Sequence, residues 1–340
     1  MRDTIRMTNR LLIEVAGYQE FCEILRTLKR SDRVTPDVWN NLSKYKGYRR
    51  SFEIMEKEMG MSRNNFIRWV TKGVTTGPPK LLSKIQWFTN QGRTRGFSHY
   101  AAEHVDEIQN FIDDFKKSET KSLEWISERL REYISSTIDI PTTTMYLVFG
   151  SGDGRIFYDE ATYDATLAYT VGSDNTIGMM AHELHHMARN KKYGSWTNLK
   201  GLKFVVATLE AEGIADMVFS IHSSTLAHED LPIVMMMMQS KEAYTRVDEI
   251  LKEFDELVSN VYPREPKQSE LHGLFAQNAY HPVGHVMAQR IEKCLGRVRL
   301  VDTVGKPLEF IKEYQVSAER SGGHTFSEKT MGAIENTFVK

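Results

Sequence analysis

TIGMMAHELHHMARN, residues 176–190, puts three histidines and a glutamate into the five positions 182 to 186. Wound as a helix, the stretch sets His182 and His186 one turn apart on one face with Glu183 beside them. This is the HExxH spacing, in which two imidazoles can hold a divalent ion at about 2.0–2.1 Å per nitrogen and the glutamate can act on a water. Shuffling a chain with 11 His and 29 Glu yields the pattern in about three chains per hundred, so the flanks must add weight. They do: Ser173, Asp174 and Thr176 are N-cap candidates, and Ile177, Met180, Leu184 and Met187 form an apolar stripe at helical spacing.

Around this segment the chain is 340 residues long, enough for one large domain or two. Its charged fraction of 26% and net charge of −1 give no overall polyelectrolyte character that would draw in nucleic acid or membrane. Two distant cysteines, Cys22 and Cys294, lie among apolar residues and read as buried thiols of a reducing compartment. The first twenty residues break their apolar positions with charges, so no signal peptide is expected; with no transmembrane run, the expected address is cytoplasmic.

Residues 1–140 read as a helical N-terminal region. Leu11, Leu12, Val15, Phe21, Ile24, Leu25 and Leu28 share one amphipathic pattern, Pro36 opens a second helix, and stripes at 105–115 and 123–134 mark two more. Residues 141–340 form the expected second domain. It begins with a β-branched and aromatic run at 142–149 and a glycine-rich turn, and ATLAYTV at 165–171 reads as another strand. The apolar stretch 204–221 and the helix 281–296, opened by Pro282 and stopped by Gly296, follow the HExxH helix; Met235–Met238 read as core filling. The fold class expected is α+β, predominantly helical, with a small β-sheet beside the HExxH helix.

A catalytic zinc takes three protein ligands and leaves a fourth position open, so one ligand is missing. FVVATLEAEGIADMVF, 204–219, supplies Glu210, Glu212 and Asp216 in a segment apolar enough to be buried, where carboxylates need partners. Glu212 and Asp216 share a helical face, while Glu210 points about 200° away. Glu212 is the expected ligand and Asp216 the acceptor holding an imidazole in its tautomer, that of His182; Glu210 is the fallback. Gly213 is expected to let this helix pack closely on the helix of His182. The rival reading is that the acids pair with Arg or Lys on neighbouring helices.

HELHH at 182–186, followed after 25 residues by EGIAD at 212–216, resembles the gluzincin group of zinc metallopeptidases. The layout over residues 141–315 is similar to bacterial zinc-dependent peptidase families of uncertain activity. The resemblance implies Zn2+ held by His182, His186 and Glu212, Asp216 as an outer partner, and a peptide or protein substrate. Two positions depart from it: Ala211 stands where many gluzincins have Asn, so aminopeptidase recognition is not implied, and His281, with Tyr280 adjacent, stands where related families place an oxyanion-steadying tyrosine.

Glu183 is the expected general base in amide hydrolysis. His281 and His285, one turn apart around Pro282, are candidates for stabilising the oxyanion, with Tyr280 as the alternative, while His185 is expected to pack beside the site. The segment 164–171 is a candidate edge strand for an extended peptide. Residues 59–102 hold seven Lys or Arg and no acid, with Trp69, Trp87 and Phe88 interleaved, which allows a second function: a nucleic-acid-associated regulator carrying a metallopeptidase module. A third reading keeps the zinc in a catalytically inactive scaffold.

Overall fold

The computed structural model describes residues 11–30, 33–77, 89–140, 142–149, 154–157, 160–219, 242–275 and 279–339. Lys80, Lys84, Trp87 and Phe88 of the basic segment, the methionines at 235–238 and most of the glycine-rich turn lie outside these residues. Among the described residues the fold is α+β and predominantly helical, with one four-stranded sheet. By its contacts the chain forms two compact units, residues 1–127 with 141–183 and 224–232, and residues 128–140 with 184–223 and 233–340.

The first unit holds the sheet, in the order β1-β2-β4-β3: β1 (Leu11–Glu14), β2 (Thr143–Val148), β3 (Gly154–Phe157) and β4 (Glu160–Asp164). β1 and β4 run parallel to β2, and β3 runs antiparallel to β4. Leu11–Glu14, expected as the start of a helix, is a strand: Leu11 and Ile13 are buried and Leu12 is exposed, the period of two that a half-buried strand requires. Side chains engage this strand at Ile13, whose N–H donates to Glu119 Oε1 at 2.8 Å and whose carbonyl accepts from Lys116.

Helix α1 (Ala16–Lys29) buries Tyr18, Phe21, Cys22 and Leu25, and Phe21 stacks on Phe149 just beyond β2 with ring centroids 4.3 Å apart. Helices α2 (Pro36–Leu42), α3 (Lys46–Met59), α4 (Arg63–Thr76), α5 (Asn90–Glu103), α6 (Val105–Lys117) and α7 (Glu119–Tyr133) follow, and Pro36 opens α2 as its sequence implies. Glu160 on β4, nearly buried, receives Lys46, the Arg50 Nε at 2.9 Å and the Tyr146 hydroxyl at 3.1 Å.

ATLAYTV is also not a strand. It is helix α8 (Ala165–Val171), because Asp164 caps it: one carboxylate oxygen accepts the backbone N–H of Thr166 at 2.9 Å and of Leu167 at 3.1 Å. Two orphan donors satisfied locally outweigh the β-propensity of Thr, Tyr and Val. Gly172, at φ +86°, ends α8, and α9 (Ser173–Tyr193), the HExxH helix, begins at once. The edge-strand role expected for 164–171 therefore has no strand to rest on.

The second unit is helical. α10 (Gly201–Val218) buries 14 of its 18 residues, as a helix apolar on every side must. At its C-terminus Arg129 caps two orphan carbonyls, donating to Met217 O and Val218 O at 2.9 Å each. The helices that follow are α11 (Val247–Val261), α12 (Gln268–Leu274), α13 (Tyr280–Leu295), α14 (Arg297–Asp302), α15 (Pro307–Ser321) and α16 (Glu328–Val339); α12, α13, α15 and α16 pack on α10, and α11 and α14 pack on these in turn. α10 and α13 touch backbone to backbone where Gly213 meets Gly284: a Cβ on Gly213 would lie 2.4 Å from the Gly284 carbonyl oxygen. The close partner of Gly213 is thus α13, not the helix of His182, and the glycine that makes the approach possible is matched by a second one across the contact.

Candidate metal centre

The HExxH residues sit in the middle of α9, an unbroken helix, so backbone geometry alone fixes His182 and His186 one turn apart. Both are buried, at 8% and 4% exposure. On α10, Glu212 turns its Oε2 to within 3.1 Å of His186 Nε2. On α13, His281 brings Nε2 to 3.5 Å from the same oxygen and Nδ1 to 3.1 Å from Asp216 Oδ2.

These separations fit an ion. Bonds of 2.0–2.1 Å in a tetrahedron place neighbouring ligand atoms about 3.3 Å apart, and both contacts to Glu212 Oε2 bracket that value. The donor set, imidazole nitrogens with a carboxylate oxygen, is that of zinc.

Each of the other expected site residues has a definite place. Asp216, nearly buried, meets the imidazole of His281. Glu183 lies against β3, where a Cβ on Gly154 would come within 3.1 Å of Glu183 Oε1. That glycine leaves room for the carboxylate, a dependence invisible until the strand is placed. His285 is buried with both ring nitrogens engaged, Nδ1 with the Tyr244 hydroxyl at 2.6 Å and Nε2 with the Gln289 amide nitrogen at 3.1 Å. Tyr280 stacks on Phe275 at 4.6 Å with Phe204 edge-on to it, and burial pushes its hydroxyl up to about 12. His185 is fully buried beside His186, with ring centroids 6.2 Å apart.

Glu210, the fallback ligand, has a different task. Fully buried, it accepts from Arg189 Nε at 3.0 Å and Nη2, and from the Gly305 N–H at 2.7 Å. Arg189 in turn lies over Trp196, and Trp196 lies against His186 with centroids 4.8 Å apart. The expectation that buried acids pair with a basic side chain on a neighbouring helix holds for Glu210. Sequence reasoning missed this pair, although an Arg three residues beyond His186, on a helix entering the core, was a signal available to it.

In the basic segment, Arg63 donates to the Trp39 carbonyl at 2.6 Å and Arg95 to the Gly77 carbonyl at 2.9 Å. These two cations carry hydrogen bonds that tie helices and turns together. Both cysteines are free thiols, and burial raises that of Cys22 to about 12. Among the described residues no helix is long and apolar enough to cross a membrane.

No curated protein and no solved structure matches the chain. A family model does, over residues 10–322, and so reaches well N-terminal of the 141–315 span on which the resemblance was read. Its description is "Putative zinc dependent peptidase (DUF5700)", and the chain belongs to that zinc-dependent family.

Proposed function

We propose that the protein hydrolyses peptide bonds, with His182, His186 and Glu212 holding Zn2+ and Glu183 acting as general base. The observation that carries this reading is the convergence of Glu212 Oε2 on His186 Nε2 at 3.1 Å, from a helix separate from the HExxH helix. When bound, Zn2+ polarises the scissile carbonyl and lowers the pKa of a water towards about 7.

The chain's own residues do the rest. Glu183, adjacent to His182 and turned towards β3, takes a proton from the attacking water and returns it to the leaving amine. The Arg189–Glu210 pair locks α9 to α10 one turn beyond the His186–Glu212 contact, and so fixes the ligand geometry against thermal drift. Of the three groups considered for the oxyanion, His281 is the one held against Glu212, while His285 is tied to Tyr244 and Gln289. The substrate is a peptide or protein.

The decisive comparison measures bound zinc and turnover of a mixed peptide library for the wild type and for Glu183→Gln. Zinc retained with turnover lowered by about 10²–10⁴ supports the assignment. Zinc-loaded wild type that cleaves no peptide in the library points instead to an inactive scaffold.

A further inference from the structure

The role of His281 can be read from where its proton must sit. Asp216 is a nearly buried carboxylate, and an ionised carboxylate accepts hydrogen bonds and donates none. With Asp216 Oδ2 3.1 Å from Nδ1, the imidazole proton belongs on Nδ1. In the neutral ring Nε2 then carries a lone pair, and that lone pair is turned to the cluster, 3.5 Å from Glu212 Oε2. A zinc ion near both atoms would be held by that lone pair and by the carboxylate oxygen together. The same Glu212 oxygen is 3.1 Å from His186 Nε2, so both contacts are close to the ~3.3 Å separation of ligands around one tetrahedral zinc. A neutral imidazole donating to an oxyanion would need the opposite tautomer, with the proton on Nε2.

We propose that His281 is a fourth protein ligand of the zinc, held in its ligating tautomer by Asp216, so that the resting centre has three imidazoles and one carboxylate. This assignment rests on the zinc site of the proposed function. The scaffold supports it: the Gly213–Gly284 contact fixes α13 on α10 one residue beyond Glu212 and three beyond His281, and rotation or sliding there would break a backbone-to-backbone fit.

A centre with four protein ligands is closed, as structural zinc sites are, whereas catalysis needs an open position. One ligand must therefore leave. The side chain of His281 is 36% exposed, against 5% for His186 and 16% for Glu212, so His281 is the ligand with solvent to move into. The enzyme is latent at rest, and a substrate carbonyl or a water opens it by displacing His281.

The test uses full-length protein loaded with zinc. X-ray absorption counts the imidazoles on the metal, and chelator competition gives the dissociation constant, for wild type, His281→Gln, Asp216→Asn, His186→Ala and Glu212→Ala. Three imidazoles are expected in the wild type and two in His281→Gln. Affinity should fall about 10–100-fold in Asp216→Asn, the usual effect of losing an outer partner, and at least as far in His281→Gln. Two imidazoles in the wild type, with affinity unchanged in His281→Gln, overturn the proposal, and the wild-type count needs no variant to fold. Zinc binding unaffected by His186→Ala and Glu212→Ala would instead remove the proposed site itself, which keeps the two failures apart.

Discussion

Replacing Gly213 by Ala pits two effects of opposite sign against each other. By helix propensity alone, Gly to Ala inside α10 stabilises by about 1 kcal/mol. By packing it cannot be accommodated, since the new Cβ would sit 2.4 Å from the Gly284 carbonyl oxygen, 2.5 Å from its carbonyl carbon and 2.9 Å from its Cα. All three are backbone atoms, so no rotamer change gives relief; α13 must retreat by about 1 Å to restore ordinary contact distances. Overpacking of this kind costs about 1–3 kcal/mol, occasionally more, which exceeds the propensity gain. The retreat also draws His281 away from Glu212 and Asp216, so zinc affinity should weaken along with stability. Denaturant unfolding of the zinc-free protein and chelator competition on the loaded protein measure the two effects. Gly273 on α12 is the control: a Cβ there meets no atom within 4 Å, and its Ala variant should be neutral or gain up to about 1 kcal/mol. A Gly213→Ala protein as stable as the Gly273→Ala protein, with zinc affinity intact, would refute the close helix crossing.

Arg189→Met leaves the fully buried Glu210 carboxylate without its guanidinium partner, and should cost about 3–5 kcal/mol in denaturant unfolding. Adding Glu210→Met should recover much of that loss, and a single variant within about 1 kcal/mol of wild type would contradict the role given to the pair. For Glu160, burial pushes the carboxyl pKa up, but Lys46, Arg50 and Tyr146 together hold it below its usual 4.5. Because the folded value is depressed, its stabilisation is fully present above pH 4.5 and is lost as pH falls through the lower folded value. Glu160→Gln should accordingly lose less stability than wild type between about pH 5 and pH 3, and parallel pH profiles would count against that ion cluster.

The HExxH pair could be read from sequence because its geometry is local: four residues on a helix fix two imidazoles whatever the rest of the chain does. That Glu212 would find a partner could be read because a carboxylate inside an apolar run must have one, and the structure turns it to His186; the separation of Glu210 from Glu212 by about 200° is again a local fact. What failed was set by distant or competing interactions. Leu11–Glu14 merges in sequence with the stripe of α1, and becomes a strand through pairing with Thr143–Tyr146, more than a hundred residues away. Residues 165–171 have strand-like composition, but Asp164 sits one position before them, and its cap was overlooked. The meeting of His281 with Asp216 depends on a crossing between α10 and α13 that no periodicity announces; the two glycines that allow it are separated by 70 intervening residues.

The side-chain bonds to Ile13 also bear on how the protein behaves at high concentration. An outer strand offers its spare amide and carbonyl groups as a template on which another chain can build, the usual seed of insoluble assemblies. Here Glu119 and Lys116, themselves paired at 2.6 Å, occupy both backbone groups of the residue midway along that border. A lysine and a glutamate at the rim thus act as gatekeepers, discouraging strand-by-strand growth of the sheet from one molecule to the next.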